Sequence, residues 1–233
     1  MMRRTGTTIT AVIGALGIIV GIGFVVAEHP AGASAGSNGS TTPTAEPGRR
    51  VATIGDSIMA GYGLDSDADA WPAMLARADH LDVTNLACSG AGFVVDGDCG
   101  DDFSGLVSQA VAVHPSIVVL QSSDNDLGQD PAAIDTATRQ AVDQLHAALP
   151  HARIVGFSTL WDQPGDVPDE VAQSSTSLRR AVEADGGRFV DLGQPLVGHV
   201  DLLQADSEHP TVAGQRVLTR VVERALRRAR VPL

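Results

Sequence analysis

The chain has 233 residues, of which 43% are hydrophobic, and it carries a formal net charge of -12. That size and composition suffice for one single-core domain once a terminal tail is set aside. The acidity argues against a nucleic-acid partner, which would require a concentrated basic face. Because all sixteen basic residues are arginine, the chain has no lysine for a Walker phosphate loop, a Schiff base or a Ser-Lys dyad.

An uncharged apolar segment, residues 9–27, follows two arginines in residues 1–8. As a helix it would span about 29 Å, close to the thickness of a bilayer core. We therefore expect a transmembrane anchor, with residues 1–8 in the cytoplasm and the rest of the chain outside. The alternative is a signal peptide with Val25-Val26-Ala27 as its cleavage site, which would make the protein secreted. Both interpretations predict export, and the first adds the membrane as a partner.

The folded domain is predicted to follow a linker. Residues 28–49 are rich in Gly, Ser, Thr, Ala and Pro, which predicts a flexible tether. Residues 50–233 then alternate apolar strands with amphipathic helices. The expected strands cover 51–54, 81–87, 116–121, 153–157 and 188–192, and the expected helices cover 71–78, 103–113, 131–149, 170–184 and 210–230. This alternation predicts a single three-layer α/β/α domain with a central parallel five-stranded sheet, similar in layout to flavodoxin.

A serine stands directly after the first predicted strand, in the sequence Gly55-Asp56-Ser57. The carboxyl end of a strand in an open α/β sheet is where such folds place their ligands. Gly61 and Gly63 follow, and they allow a loop to approach a substrate closely. We interpret Ser57 as a candidate nucleophile, which requires a base to accept its proton and a carboxylate to orient that base.

Two cysteines fall inside the domain, Cys88 and Cys99. An even number of cysteines in an exported protein favours a disulfide over two separate thiols. Two groups suited to stabilise an oxyanion follow the second and third strands: the backbone N–H of Gly90 and the side-chain amide of Asn125. With the N–H of Ser57 they would provide three donors.

The candidate base and its carboxylate lie near the end of the chain, in Asp206-Ser207-Glu208-His209-Pro210. Asp206 and His209 can meet if this loop curls into a helix start, and we expect Pro210 at the first helical position. The loop follows the fifth strand and can therefore lie over the carboxyl edge of the sheet. His199 is the main competitor, but no carboxylate is placed as well beside it.

Taken together, four blocks of residues resemble the SGNH, or GDSL-like, hydrolase superfamily: Gly55-Asp56-Ser57, Gly90, Asn125-Asp126 and Asp206-x-x-His209-Pro210. The superfamily contains serine esterases, lipases, thioesterases, carbohydrate deacetylases and some acyltransferases. The resemblance implies Ser57 as nucleophile, His209 as base and Asp206 as its orienter. It also implies an oxyanion hole of Ser57, Gly90 and Asn125. One departure is Ser123, which stands where the family has glycine and could narrow the pocket or shift Asn125.

The predicted function is that of an exported serine esterase acting on an ester or thioester, such as an acylated lipid or an O-acetylated envelope glycan. Trp161, after the fourth strand, and Ser123 are candidates to line the substrate pocket, although Trp161 could equally be a loop anchor. No cofactor and no metal are expected. Two alternatives stay open: a cell-envelope O-acyltransferase that uses the same acyl-enzyme, and a non-catalytic anchored binding domain on the same fold.

Overall fold

The computed structural model describes residues 49–232. Its centre is a five-stranded sheet of parallel strands in the order β2-β1-β3-β4-β5. The strands are β1 Arg50–Ile54, β2 Asp82–Asn85, β3 Ile117–Gln121, β4 Arg153–Phe157 and β5 Arg188–Val190. The helices are α1 Ser57–Ala60, α2 Trp71–Asp79, α3 Phe103–Ala112, α4 Pro131–Ala148, α5 Asp169–Ala184 and α6 Val212–Arg228, with 3-10 turns at Asp67–Asp69 and Val200–Leu202.

Helices cover both faces of this sheet. Every residue of the central strand β3 is buried, as expected for a strand with helices on either side. On one face the side chains of β1 and β3 pack against α3, α4 and α5, for example through Phe103 and Leu178. On the other face they pack against α2 and α6, for example through Trp71 and Leu218. The predicted three-layer fold with a parallel five-stranded sheet is therefore confirmed.

Three predicted elements were wrong by two residues at one end or at both. The last helix begins at Val212 and not at Pro210, because the Thr211 side chain caps it and accepts the N–H of Gly214 at 3.3 Å. Pro210 instead forms an isolated antiparallel bridge with Leu203. The fifth strand ends at Val190, since the N–H of Leu192 donates to the Ser158 hydroxyl and not to a neighbouring strand. The second strand spans only Asp82–Asn85.

The predicted disulfide is present between Cys88 and Cys99, with Cα atoms 6.0 Å apart. It closes the loop that follows β2. Residues 49–232 contain no helix long and apolar enough to cross a membrane. The predicted anchor at 9–27 and nearly all of the predicted linker lie outside the described residues.

The parallel arrangement brings four connections to one edge of the sheet. Helix α1 follows β1, the disulfide loop follows β2, and the Ser123–Asp126 loop follows β3. The loop that precedes α6 reaches the same edge, as its contacts with residue Tyr62 show. The candidate residues from distant parts of the sequence therefore meet at the carboxyl edge.

Candidate active site

Ser57 is the first residue of α1 and follows the end of β1 after Gly55 and Asp56. The helix starts there because the Asp56 carboxylate caps it and accepts the N–H of Ile58 at 3.0 Å. It ends one turn later at Gly61, whose φ of 80° is accessible to glycine without strain. The Ser57 carbonyl accepts two N–H groups at 3.0 Å, from Gly61 and from Tyr62. The backbone around the candidate nucleophile is thus held at both ends.

Asp206 uses both carboxylate oxygens to build the histidine loop. One oxygen accepts the backbone N–H groups of Glu208 and His209, each at 3.0 Å. The other lies 2.9 Å from Nδ1 of the His209 ring. Ser207 supplies the turn between them with a positive φ of 62°. One side chain therefore shapes the loop and orients the ring at the same time.

The ionisation of Asp206 determines which ring nitrogen of His209 carries a proton. Burial alone would raise the pKa of the Asp206 carboxyl. Hydrogen bonds from the His209 ring and from the backbone N–H groups of His209 and Glu208 outweigh that effect and lower the pKa to about 2. An ionised carboxylate can only accept, so Nδ1 of His209 carries the proton that it donates. In the neutral imidazole, Nε2 then carries the free lone pair that a general base requires.

Tyr62 connects the histidine loop to Ser57, the candidate nucleophile. Its backbone N–H donates to the Ser57 carbonyl at 3.0 Å. Its ring packs on the His209 imidazole, with centroids 4.5 Å apart and planes inclined by 41°. Ser57 and His209, 152 positions apart in the sequence, are thereby brought to the same rim. The ring of Tyr62 remains 49% exposed and forms part of the surface beside the imidazole.

Donors suitable for an oxyanion come from three elements. The backbone of Gly90 has a φ of 78°, which places it in the left-handed region that favours glycine. Within residues 49–232, the N–H groups of Ser57 and Gly90 donate to no other protein atom. The Asn125 amide donates one hydrogen to the Ala91 carbonyl at 3.0 Å. Since an amide nitrogen carries two hydrogens, one remains available to a ligand.

Ser123 braces this loop. It is fully buried, and its hydroxyl accepts the backbone N–H of Asn125 at 3.0 Å and donates to the Asp56 carboxylate. The hydroxyl thus connects the N-cap of α1, Asp56, to the loop that carries the Asn125 amide. Trp161 is also buried, with 7% exposure, as a loop anchor would be. Contact of either residue with a substrate stays a prediction.

Asp126 ties the loop after β3 to the loop after β2. Its carboxylate accepts the N–H groups of Phe93 at 2.7 Å and Val94 at 3.1 Å. A Cβ on Gly92 would overlap this carboxylate, so the close approach requires glycine. Burial raises the pKa of Asp126, and the hydrogen bonds from Phe93 and Val94 partly offset that rise. The carboxylate therefore holds the backbone of the loop after β2 against the loop that carries Asn125.

Comparison with known proteins settles the family. Residues 53–217 match the GDSL-like Lipase/Acylhydrolase family. The chain belongs to this family. A GDSL lipase of Mycobacterium tuberculosis (strain ATCC 25618 / H37Rv), Rv0518, is 31% identical over 182 residues, which cover 72% of this chain and 77% of that protein. The predicted membership of the SGNH superfamily, and with it a serine hydrolase, is confirmed.

Solved structures support the fold of this GDSL hydrolase. TesA is 23% identical with a TM-score of 0.60, over 78% of this chain and 99% of that one. The psychrotrophic esterase EstA from Pseudoalteromonas sp. is 20% identical with a TM-score of 0.61, over 77% and 97% of the two chains. At these identities the likeness establishes the three-layer architecture alone.

Sequence reasoning missed two carboxyl groups of the GDSL domain near the site. Burial raises the pKa of Asp124 to about 7, with a contribution from the charge of Asp56. Burial raises the pKa of Asp162 to about 8, with contributions from Asp124, Asp56 and Glu208. Asp162 is 2% exposed, and neither of its oxygens has a hydrogen-bond partner in the described part of the chain. The only sequence signal was the position of Asp162 just after β4, on the same edge of the sheet as Ser57.

Proposed function

We propose that this GDSL-family hydrolase is an exported serine esterase in which Ser57 is the nucleophile, His209 the general base and Asp206 its orienter. The observation that carries the proposal is the 2.9 Å contact between Asp206 and His209 Nδ1, in a loop that packs on the turn after Ser57. An ionised Asp206 fixes the tautomer in which Nε2 can take a proton from a serine hydroxyl.

The reaction proceeds in two acyl-transfer steps. His209 Nε2 takes the Ser57 proton while Oγ attacks the ester carbonyl, and a tetrahedral intermediate forms. The imidazolium then returns the proton to the departing alcohol or thiol, leaving an acyl-enzyme. Water, deprotonated by the same imidazole, releases the carboxylic acid and restores Ser57. Asp206 stabilises the imidazolium without accepting its proton.

The tetrahedral intermediate carries a negative oxygen that needs fixed donors. The N–H groups of Ser57 and Gly90 and the free hydrogen of the Asn125 amide fill this role. Their support comes from the braces described above: Asp56 at the helix start, Ser123 beside Asn125 and Asp126 beneath Gly92. The residues that carry these donors lie in backbone that is hydrogen-bonded on either side. Little reorganisation therefore accompanies the appearance of negative charge on the substrate oxygen.

The substrate is an ester or thioester, such as an acylated lipid or an O-acetylated glycan of the cell envelope. Export supports an envelope substrate, and two features support export. One is the Cys88–Cys99 disulfide, which persists in oxidising compartments. The other is the apolar segment 9–27, whose length suits a membrane anchor with the catalytic domain outside. The half-exposed ring of Tyr62 offers an apolar surface to the acyl or alcohol part beside the reacting centre.

The test combines covalent labelling with hydrolysis. The wild-type protein should react with a fluorophosphonate probe at one residue, Ser57, and should hydrolyse a short-chain aryl ester. Ser57→Ala should abolish labelling and lower kcat by at least about 10³-fold. Ser108→Ala, at an exposed serine of α3, is the matched control and should change neither. Full activity in Ser57→Ala would refute the proposal.

The same acyl-enzyme could pass its acyl group to a sugar hydroxyl instead of water. Product analysis with and without a glycan acceptor separates the two reactions. A hydrolase releases free acid at the same rate in both mixtures. An O-acyltransferase, the alternative that the sequence left open, would form acylated glycan at the expense of free acid.

A further inference from the structure

The side chain of Gln204 spans two segments that are distant in the sequence. Its Nε2 donates to the Tyr62 carbonyl at 2.7 Å and to the Pro210 carbonyl at 3.0 Å. The first of these bonds joins residues 142 positions apart. One amide nitrogen with two hydrogens therefore holds the turn after the nucleophile helix against the residue that follows His209.

The backbone of Gln204 closes the histidine loop as well. Its N–H donates to the His209 carbonyl at 2.7 Å, and its carbonyl accepts the N–H of Ser207 at 3.0 Å. Just outside this pair, Leu203 and Pro210 form the antiparallel bridge. The loop that carries Asp206 and His209 is thus a short closed turn with Gln204 at its base.

On the opposite side, the contact reaches the nucleophile through one residue. Tyr62 accepts from Gln204 with its carbonyl, donates to the Ser57 carbonyl with its N–H, and packs its ring on His209. A Cβ on Gly63 would overlap Oε1 of Gln204, and Gly63 has a φ of 72°. The backbone at this turn is therefore built to let the amide approach.

From these contacts we propose that Gln204 is a positioning residue, which sets the separation and angle between the His209 imidazole and Ser57 by bridging the Tyr62 and Pro210 carbonyls. This inference rests on the proposed roles of Ser57 and His209. It goes beyond them because Gln204 touches neither substrate nor the reacting atoms. A base displaced by about 1 Å from its productive place costs roughly 10²-fold in rate.

Two substitutions remove the bridge in different ways. Gln204→Met keeps the length of the side chain but has no donor. Gln204→Asn keeps a polar amide, so folding is less at risk, but it is one methylene too short to reach both carbonyls. Both variants should lower kcat for an aryl ester by about 10- to 100-fold with KM changed by less than about threefold, because the loss falls on proton transfer and not on binding.

A matched control separates positioning from general destabilisation. Thr138→Val removes a buried hydrogen bond of 2.7 Å within α4, and Thr138 lies in a helix that holds none of the proposed site residues. It should lower the melting temperature without changing kcat. If Thr138→Val lowers kcat as much as the Gln204 variants do, the effect of Gln204 is one of stability and the inference fails.

The decisive measurement is a double-mutant cycle that combines Gln204→Met with His209→Ala. Activity in each variant is measured as the slow hydrolysis of an activated aryl ester. If Gln204 acts through His209, Gln204→Met should cost nothing further in the His209→Ala background. An equal cost in both backgrounds, or unchanged kcat in both single variants, would overturn the inference. If His209→Ala alone keeps full activity, the proposed base itself is wrong, which is a different and recognisable failure.

Discussion

Removing the Cys88–Cys99 disulfide should lower the stability of the protein far more than its activity. The two cysteines are 11 positions apart. For a closed loop of that length, the entropy lost by the unfolded chain corresponds to about 3 kcal/mol in favour of the folded state. In a chain of this size, 1 kcal/mol shifts the melting temperature by about 2–4 °C, so the expected decrease is about 6–12 °C.

Activity should persist because the disulfide loop has other restraints near Gly90. The N–H of Asp98 donates to the Ser89 carbonyl at 2.8 Å, across the base of the turn. The Asp126 carboxylate holds two N–H groups of the same loop, those of Phe93 and Val94. Because none of these bonds involves sulfur, we expect kcat at 25 °C to fall by less than about threefold when the cysteines are removed.

The assay compares wild type with Cys88→Ala/Cys99→Ser, since Cys88 is buried and Cys99 is exposed. Melting temperature and aryl-ester hydrolysis are measured with and without reductant. Reductant should destabilise the wild type and leave the double variant unchanged, which is the internal control. A loss of kcat above about tenfold with little change in melting temperature would refute the reasoning, because the bridge would then shape the oxyanion loop instead of restraining the unfolded chain.

Three further predictions concern the polar groups of the site. Asp206→Asn keeps an oxygen for the loop N–H groups but presents a donor to His209 Nδ1, which puts the ring proton on Nε2; kcat should fall by about 10³–10⁴-fold, and a loss below tenfold would contradict the assigned tautomer. Asn125→Ala removes a proposed oxyanion donor and should lower kcat by about 10²–10³-fold with little change in KM, as steady-state kinetics would report. Burial raises the pKa of Asp162 to about 8. Between about pH 4 and 8, the folded state therefore retains a proton that the unfolded state releases. The free energy of unfolding then falls with rising pH, by up to about 1.4 kcal/mol per pH unit. In urea unfolding, Asp162→Asn should therefore gain stability relative to wild type from about pH 5 to pH 8, and parallel curves would refute this.

The features that the sequence predicted well are local. The largely apolar run before Gly55 and the apolar run before Gln121 identify β1 and β3, because strands buried on both faces need continuous apolar residues. The Asp206–His209 contact also lies within four consecutive residues, so a short turn is enough to form it. Family resemblance then grouped the blocks from different strands into one predicted site, and the family itself is confirmed.

The features that the sequence did not predict depend on contacts between distant residues. In the sequence, Gln204 looks like any other polar loop residue. Its proposed role depends on its hydrogen bond to the Tyr62 carbonyl, which only the folded structure shows. Asp162 looks like a solvent-exposed loop carboxylate in the sequence WDQ, yet it is buried, with neighbouring carboxylates at Asp124 and Glu208. Burial of this kind is set by tertiary packing, which residue type and spacing do not encode.

Burial of several acidic groups has a consequence for the oxyanion. Every ionised carboxylate near the carbonyl oxygen of the substrate opposes the negative charge that develops on that oxygen. Asp124 and Asp162 have pKa values raised to about 7 and about 8, so they retain much of their protonation near neutral pH. The same burial that costs stability when these groups ionise therefore limits the negative charge that acts on Asp56, the residue before Ser57. The acidic composition of the chain is compatible with the proposed oxyanion hole for this reason.

The start of the last helix at Val212, and not at the predicted Pro210, explains why the contacts of Gln204 are needed. Had the last helix begun at Pro210, His209 would have been its N-cap residue, attached directly to a regular element. The helix begins at Val212 instead, so His209 belongs to a turn closed by Asp206 and by the backbone of Gln204. The hydrogen bonds within this turn fix its shape, whereas the hydrogen bond and the ring contact between the turn and the residues after α1, within residues 49–232, run through Tyr62. The distance of the turn from α1 is set across the gap, by the Gln204 amide on the Tyr62 carbonyl and by the Tyr62 ring on the imidazole.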